Sequence, residues 1–130
     1  MNTDKQIDEF LKIQIETLTK FSEHTTTLQK ILETLLTART NGNRIYVMGN
    51  GGSASTSTHF VSDLLKTSII KDERRFRAIS LSDNIPVVFA WSNDVSFDSI
   101  FVEQLRNFIE KNDVVIGISG SGNSANVINA

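Results

Sequence analysis

Two short runs of small polar residues, each directly after a continuous apolar segment, limit the folds open to this chain. The first, Met48-Gly49-Asn50-Gly51-Gly52-Ser53-Ala54, follows Arg44-Ile45-Tyr46-Val47. The second, Ser119-Gly120-Ser121-Gly122-Asn123-Ser124, follows Val114-Val115-Ile116-Gly117-Ile118. An apolar run without polar alternation is buried on both faces, as strands of a parallel sheet are. Glycine lets the backbone turn sharply and offer its N–H groups to a ligand. A helix beginning just afterwards adds unpaired N–H donors at the positive end of its dipole. Strand, small-residue turn and helix in that order make an anion site, with phosphate the usual occupant. Two such turns point to one ligand held from two sides.

The remaining segments read as helices and strands in alternation. Apolar residues at Ile7, Phe10, Leu11, Leu18 and Phe21 predict an amphipathic helix from Thr3 or Asp4, interrupted over 22–27, where His24 reads as a solvated loop residue. Leu28, Ile31, Leu32, Leu35 and Leu36 predict a second helix, closed by Asn41-Gly42, and both helices are expected to pack on the core or on a neighbouring subunit. After the strand at 44–48, residues 54–67 read as a helix. Its stripe of Phe60, Val61, Leu64 and Leu65 should face the sheet, while Thr56, His59, Asp63 and Thr67 share another face. Lys71-Asp72-Glu73-Arg74-Arg75 is a solvated connector whose arginines are within reach of an anionic ligand.

Phe76-Arg77-Ala78-Ile79-Ser80-Leu81 reads as a second strand, followed by a short helix at 86–91 that Ser92-Asn93-Asp94 breaks. A further helix from Ser96 carries Phe97, Phe101, Leu105, Phe108 and Ile109 at helical spacing. The third strand, 114–118, leads into the second turn and a helix beginning at Ser124. This alternation predicts a doubly wound α/β layer with its ligand outside the carboxyl ends of the strands, where both turns lie.

Composition removes several classes of function. The 130 residues carry a formal net charge of −2 with 22% charged side chains, which gives no basic field for direct nucleic-acid binding or for a membrane surface. Cysteine is absent, so metal ligation falls to His24, His59 and carboxylates. No apolar run approaches the ~20 residues that cross a bilayer, and the first residues lack the layout of a signal peptide. The expectation is a cytoplasmic protein of one domain, 1–130, with helices over 1–41 and an α/β portion over 42–130.

Gly49-Asn50-Gly51-Gly52-Ser53-Ala54, His59-Phe60, Ser92-Asn93-Asp94 and the segment from Gly117 through Ser119-Gly120-Ser121-Gly122-Asn123-Ser124 to Val127 resemble, in this order, the sugar isomerase (SIS) domain. Within it the residues are most similar to the phosphoheptose isomerases, which interconvert sedoheptulose 7-phosphate and its aldose. The resemblance implies a three-layer αβα sandwich around a five-stranded parallel sheet, of which three strands are legible here. At about 30 residues per βα unit, two units would follow Ala130, and in the family they carry a histidine and a glutamine that complete the pocket. The chain is therefore expected to be truncated after the third strand and inactive by itself.

The same resemblance assigns residues. Ser119, Ser121, Asn123 and Ser124 would hold the phosphate, and Asn50, Gly51, Gly52 and Ser53 would line the path of the sugar. Asn93 and Asp94 would bond its hydroxyls, from a neighbouring subunit of a homotetramer. Asp63 would be the base, where the family has glutamate, with His59 as its polar partner, and the two would be ligands of a zinc ion. From spacing alone, His59 and Asp63 read as an exposed pair on a polar helix face and Asp94 as a helix cap. The shorter arm of Asp63 and Gly120, where the family usually has threonine, depart from the pattern. The rival expectation is a non-catalytic SIS regulator or an adaptor similar to the replication-initiator-associating proteins. A nucleotide-binding protein is a distant third reading, because the first turn lacks both the Walker lysine and the Gly-x-Gly-x-x-Gly spacing.

Overall fold

The computed structural model describes residues 3–130. The chain divides into two compact units between Thr34 and Leu35. The smaller contains α1 (Thr3–Phe21) and the start of α2 (Thr25–Asn41). The expected interruption over 22–27 shrinks to a single 3-10 turn, Ser22–His24. Hydroxyls explain why so short a break suffices: Ser22 Oγ donates to Thr19 O at 2.6 Å and Thr25 Oγ1 to Ser22 O at 3.0 Å, so the tight turn keeps its carbonyls satisfied. No residue of α1 is buried, and its apolar positions, Phe10, Leu11 and Leu18 among them, are exposed.

The larger unit is built on three parallel strands, β1 (Arg44–Gly49), β2 (Arg77–Ser80) and β3 (Val114–Ile118), in the order β2-β1-β3. Ile45 stands opposite Ala78 on one side and Val114 on the other, which fixes the register of the sheet. Because successive side chains of a strand point to opposite faces, the apolar run of β1 supplies two cores at once. Ile45 and Val47 pack with Leu35, Ala38, Val61, Leu64 and Phe76. On the other face Tyr46 and Met48 pack with Leu81, Ile100, Phe101 and Leu105. Each such side chain contributes about 1.5–3 kcal/mol by leaving water.

The helix after β1 begins earlier than expected, as α3 (Gly52–Ser62), and its last turn, Asp63–Thr67, is π-helical. Ser68 N donates to Asp63 O at 2.9 Å across that widened turn. The extra residue shifts the phase of the helix, so Val61 and Leu64 are buried whereas Leu65, expected on the core face, is 45% exposed. Ser92-Asn93-Asp94 does not break the next helix: α4 runs Ile85–Asp94, started by Asn84 Oδ1, which accepts from Val87 N, and by Pro86 in the first turn. The helix expected from Ser96 is divided into a 3-10 turn, Phe97–Ser99, and α5 (Val102–Phe108). Ser99 Oγ donates to Ser96 O at 2.7 Å and holds that tighter turn. Buried Gln104 then ties α5 to the sheet by donating to Leu81 O at 3.0 Å. The last helix, α6 (Ala125–Ile128), is a single turn with Ser124 at its N-cap.

Arginines close the amino-terminal edge of the sheet. Arg44 Nη1 and Tyr46 Oη both donate to Phe108 O, at 2.8 and 2.9 Å. Arg74 Nη1 donates to Thr40 O at 2.9 Å, which caps α2. Arg74 is thus spent at the end of the sheet opposite the small-residue turns and does not serve an anion there.

Two outcomes follow from this packing. A Cβ placed on Gly49 would stand 2.7 Å from Ser53 O and 2.8 Å from Ser53 Cβ, so the strand can approach α3 only without a side chain. Gly49→Ala should lower stability by about 1–3 kcal/mol in chemical denaturation. Burial raises the Tyr46 phenol above its ordinary value of 10.0, with its hydrogen bond to Arg44 and that residue's charge acting the other way. The folded protein therefore holds this proton more tightly than the unfolded chain. The associated stabilisation is complete below about pH 10 and is lost as pH rises through the folded value. Denaturation midpoints followed upward from pH 9 should fall in the wild type with a slope that Tyr46→Phe removes.

Candidate functional site

The chain leaves β1 and β3 towards opposite faces. α3 covers the face holding Ile45 and Val47, while Val127 of α6 packs with Tyr46 and Met48 on the other. Adjacent parallel strands whose following helices diverge open a crevice at their carboxyl ends. Both small-residue turns lie in that crevice.

In the first turn, Gly51 takes φ 54° and ψ −120°, the first central position of a type II′ turn, closed by Ser53 N donating to Asn50 O at 2.9 Å. Such a backbone excludes a Cβ. Ser82, just beyond β2, supports the turn from the side: its Oγ donates to Gly49 O at 3.0 Å. A cavity of about 170 Å³ lies here, lined by Asn50, Gly51, Ser82, Val88 and Phe101 among others. A wider opening of about 540 Å³, lined by Ser55, Thr58, His59, Ser62 and Ser82, adjoins it through Ala54 and Ser82, which border both.

The second turn gathers hydroxyls. Ser119 Oγ lies 3.0 Å from Ser124 Oγ and 3.4 Å from Ser121 Oγ, and Asn123 N donates to Ser121 Oγ at 3.2 Å. The dipole expected behind this turn is small, because α6 is one turn long and few peptide units add to it. Any grip on an anion here comes from the serine hydroxyls and the turn N–H groups.

The turns are joined by side chains. Asn50 Nδ2 donates to Asn126 Oδ1 at 2.8 Å, and Asn126 Nδ2 donates back to Asn50 Oδ1 at 2.9 Å. The pair joins the two turns at the carboxyl ends of the adjacent strands β1 and β3; Asn50 and Gly51 line the smaller cavity, whereas Gly52, Ser53, Ser119, Ser121, Asn123 and Ser124 line neither of the two. Asn126 itself has no role in the sequence reading, although it stands within the quoted motif.

His59 and Asp63 meet on the outer face of the π-helical turn. His59 Nε2 is 3.5 Å from Asp63 Oδ2, and Thr67 Oγ1 donates to Asp63 Oδ1 at 3.0 Å. Their side chains are 80% and 51% exposed, and His59 borders the wider opening. Among the described residues no third histidine or carboxylate joins them to make a metal site. Asn93 and Asp94 end α4, exposed and bonded to each other, Asn93 Nδ2 to Asp94 Oδ1 at 2.8 Å. Neither lines the cavities of the two turns, and Asp94 terminates a helix instead of starting the next.

A second network escaped the sequence reading. Ser57 is fully buried and its Oγ lies 3.3 Å from Ser80 Oγ, which also reaches Thr58 Oγ1 and the N–H of Ser82. Thr58 Oγ1 in turn donates to Asp83 Oδ1. This chain pins α3 to the end of β2 and so sets the height of His59. Its signal was available: Ser57 stands three and four residues before Phe60 and Val61, on the apolar stripe of its helix.

Fold and crevice together define a doubly wound α/β protein whose crevice lies at the switch point of its sheet, where folds of this class take their ligands. The SIS domain family model matches residues 9–130, and the chain belongs to that family. It is 41% identical over 98 residues to a probable phosphoheptose isomerase of Thermoplasma acidophilum, covering 75% of this chain and 53% of that one. It is 38% identical over 123 residues to the phosphoheptose isomerase of Aliarcobacter butzleri, covering 85% and 64%. The structure of a phosphoheptose isomerase from Neisseria gonorrhoeae superposes with a TM-score of 0.69 at 30% identity, over 90% of this chain and 66% of that one. One from Francisella tularensis shares the fold with a TM-score of 0.91 at 23% identity, over 99% and 68%. The chain thus spans between about half and two thirds of the length of these curated relatives.

The hydroxyl network carries a stability test. Ser80→Ala strands the buried Ser57 hydroxyl and should cost about 1–3 kcal/mol, whereas Ser57→Ala combined with Ser80→Ala should recover most of that loss. Urea denaturation of the three proteins compares them directly.

Proposed function

We propose that this site serves an aldose–ketose isomerase of the phosphoheptose type, converting sedoheptulose 7-phosphate to the corresponding aldose 7-phosphate. The observation that carries the reading is the joining of the two turns by the Asn50–Asn126 pair at the carboxyl ends of β1 and β3. Ser119, Ser121, Asn123 and Ser124 hold the phosphate, while Asn50, Gly51, Gly52 and Ser53 line the sugar's path. The relatives at 41% and 38% identity, whose names give that activity, support this choice of substrate.

Isomerisation moves a proton between neighbouring carbons and needs a base beside the sugar. Asp63 fills that role. Thr67 holds one of its oxygens, and the other faces His59, which is placed to take up or return a proton. The carboxylate is one methylene shorter than the family's glutamate, so its approach depends on the widened turn at Asp63–Thr67. A zinc ion would find two donors in His59 and Asp63, short of the three or four protein ligands that zinc takes. We propose these two as part of its ligand set; bound, zinc would polarise a sugar oxygen. Asn93 and Asp94, which line neither cavity, are proposed to serve a neighbouring subunit of a homotetramer. The exposed apolar positions of α1 support such an assembly. Among the described residues no helix is long and apolar enough to cross a membrane. We propose a cytoplasmic location, which suits an ionised phosphate that does not cross a bilayer unaided.

The test is solvent deuterium exchange into sedoheptulose 7-phosphate by the full-length protein, read by NMR. Deuterium should enter at the carbon beside the carbonyl, and Asp63→Asn should slow this by about 10²-fold or more. Saturable binding of the sugar phosphate without any incorporation would reject the isomerase and favour a sugar-phosphate-binding regulator.

A further inference from the structure

The proposed mechanism leaves one buried polar side chain without a task. Asn126 is 2% exposed, in the first turn of α6, and a carboxamide removed from water is costly unless its donors and acceptors are paired. Its partner is the carboxamide of Asn50, 76 positions away in sequence, through two reciprocal bonds of 2.8 and 2.9 Å. A carboxamide offers two N–H donors and two acceptor lone pairs. The pair uses one of each from both residues, so Asn50, half-buried at the edge of the cavity of about 170 Å³, keeps one N–H and one lone pair for another partner. The two bonds close a ring between the carboxamides, which fixes the direction in which the free donor and acceptor of Asn50 can act. The backbone carbonyl of the same residue closes the first turn through Ser53 N. One contact therefore fixes both the fold of the first turn and its position against the second.

We propose that Asn126 is a positioning residue. It touches no ligand; it orients the Asn50 carboxamide towards the ligand and makes the turns after β1 and β3 a single rigid unit. The identity of the ligand rests on the isomerase reading, whereas the pairing and its consequence for Asn50 do not. Asparagine suits this position because it both donates and accepts. Aspartate keeps the acceptor for Asn50 Nδ2 and loses the donor to Asn50 Oδ1, and leucine of similar size loses both.

The experiment uses ¹⁵N-labelled full-length protein, wild type, Asn126→Leu and Asn126→Asp, with Asn107→Ala as a control at an exposed position on α5. In the wild type without ligand, one Asn50 side-chain N–H should exchange at least about tenfold more slowly than those of Asn107. Asn126→Leu should abolish that protection and Asn126→Asp should retain it. Titration with sedoheptulose 7-phosphate and, separately, inorganic phosphate supplies a readout that general loosening would not move selectively. Asn126→Leu should weaken the sugar phosphate about tenfold or more, Asn126→Asp by less, and inorganic phosphate by under about twofold in either. Asn107→Ala should match the wild type. An unprotected Asn50 in the wild type, or equal weakening of both ligands in the variants, would overturn the proposal. Should Asn126→Leu fail to fold by circular dichroism, Asn126→Asp decides by the same criteria. A wild type that binds phosphate but not sedoheptulose 7-phosphate would reject the substrate assignment, and the exchange rates would then decide the positioning role alone.

Discussion

β1 is covered on both faces, and the larger unit depends on that burial. A strand whose side chains alternate between two apolar layers needs helices above and below it, and its neighbours must be parallel strands whose connections supply those helices. Ile45 and Val47 face one layer and Tyr46 and Met48 the other, so no single helix can satisfy the strand. The chain answers by sending α3 to one face and α4, α5 and the single turn of α6 to the other. The crevice between the turns after β1 and β3 is the geometric consequence of covering a strand twice.

The site inherits its precision from that arrangement. Gly49 brings the strand within contact distance of α3, and Gly51 reverses the backbone where a side chain would not fit. Ser57, Ser80 and Thr58 then fix α3 against β2 by hydroxyls buried at a helix–sheet contact. The Asn50–Asn126 pair closes the remaining degree of freedom between the turns. Each contact satisfies a polar group that burial would otherwise penalise. The same bonds that stabilise the fold therefore orient the crevice.

The site is less uniform than a single motif suggests. The hydroxyl turn and the small-residue turn are integrated into the packed core, whereas His59 and Asp63 stand out from it on an exposed helix face, held by each other and by Thr67. The two turns thus sit on packed backbone, and the His59–Asp63 pair on an exposed helix face. The widened turn at Asp63–Thr67 lies at this junction, a position where single π-turns often occur in functional helices.

Residues adjacent in sequence determined a good deal. The apolar runs of β1 and β3, the turns that follow them and the α/β alternation were all legible, because parallel strands and strand-to-helix turns leave local signatures in residue type. The resemblance carried by four spaced segments gave the SIS family, which the match over 9–130 bears out. Tertiary structure decided what depends on phase or on distant partners. Leu65 turned outward because a π-turn, invisible in spacing, rotated the helix; Asn93 and Asp94 form the last turn of α4, since polar residues are tolerated at a helix end and do not by themselves break the turn before them. Arg74 went to the carbonyl of Thr40 because the fold places α2's end beside β2. Asn126 meets Asn50 only because β1 and β3 lie side by side, a pairing between positions 76 residues apart that sequence periodicity cannot encode.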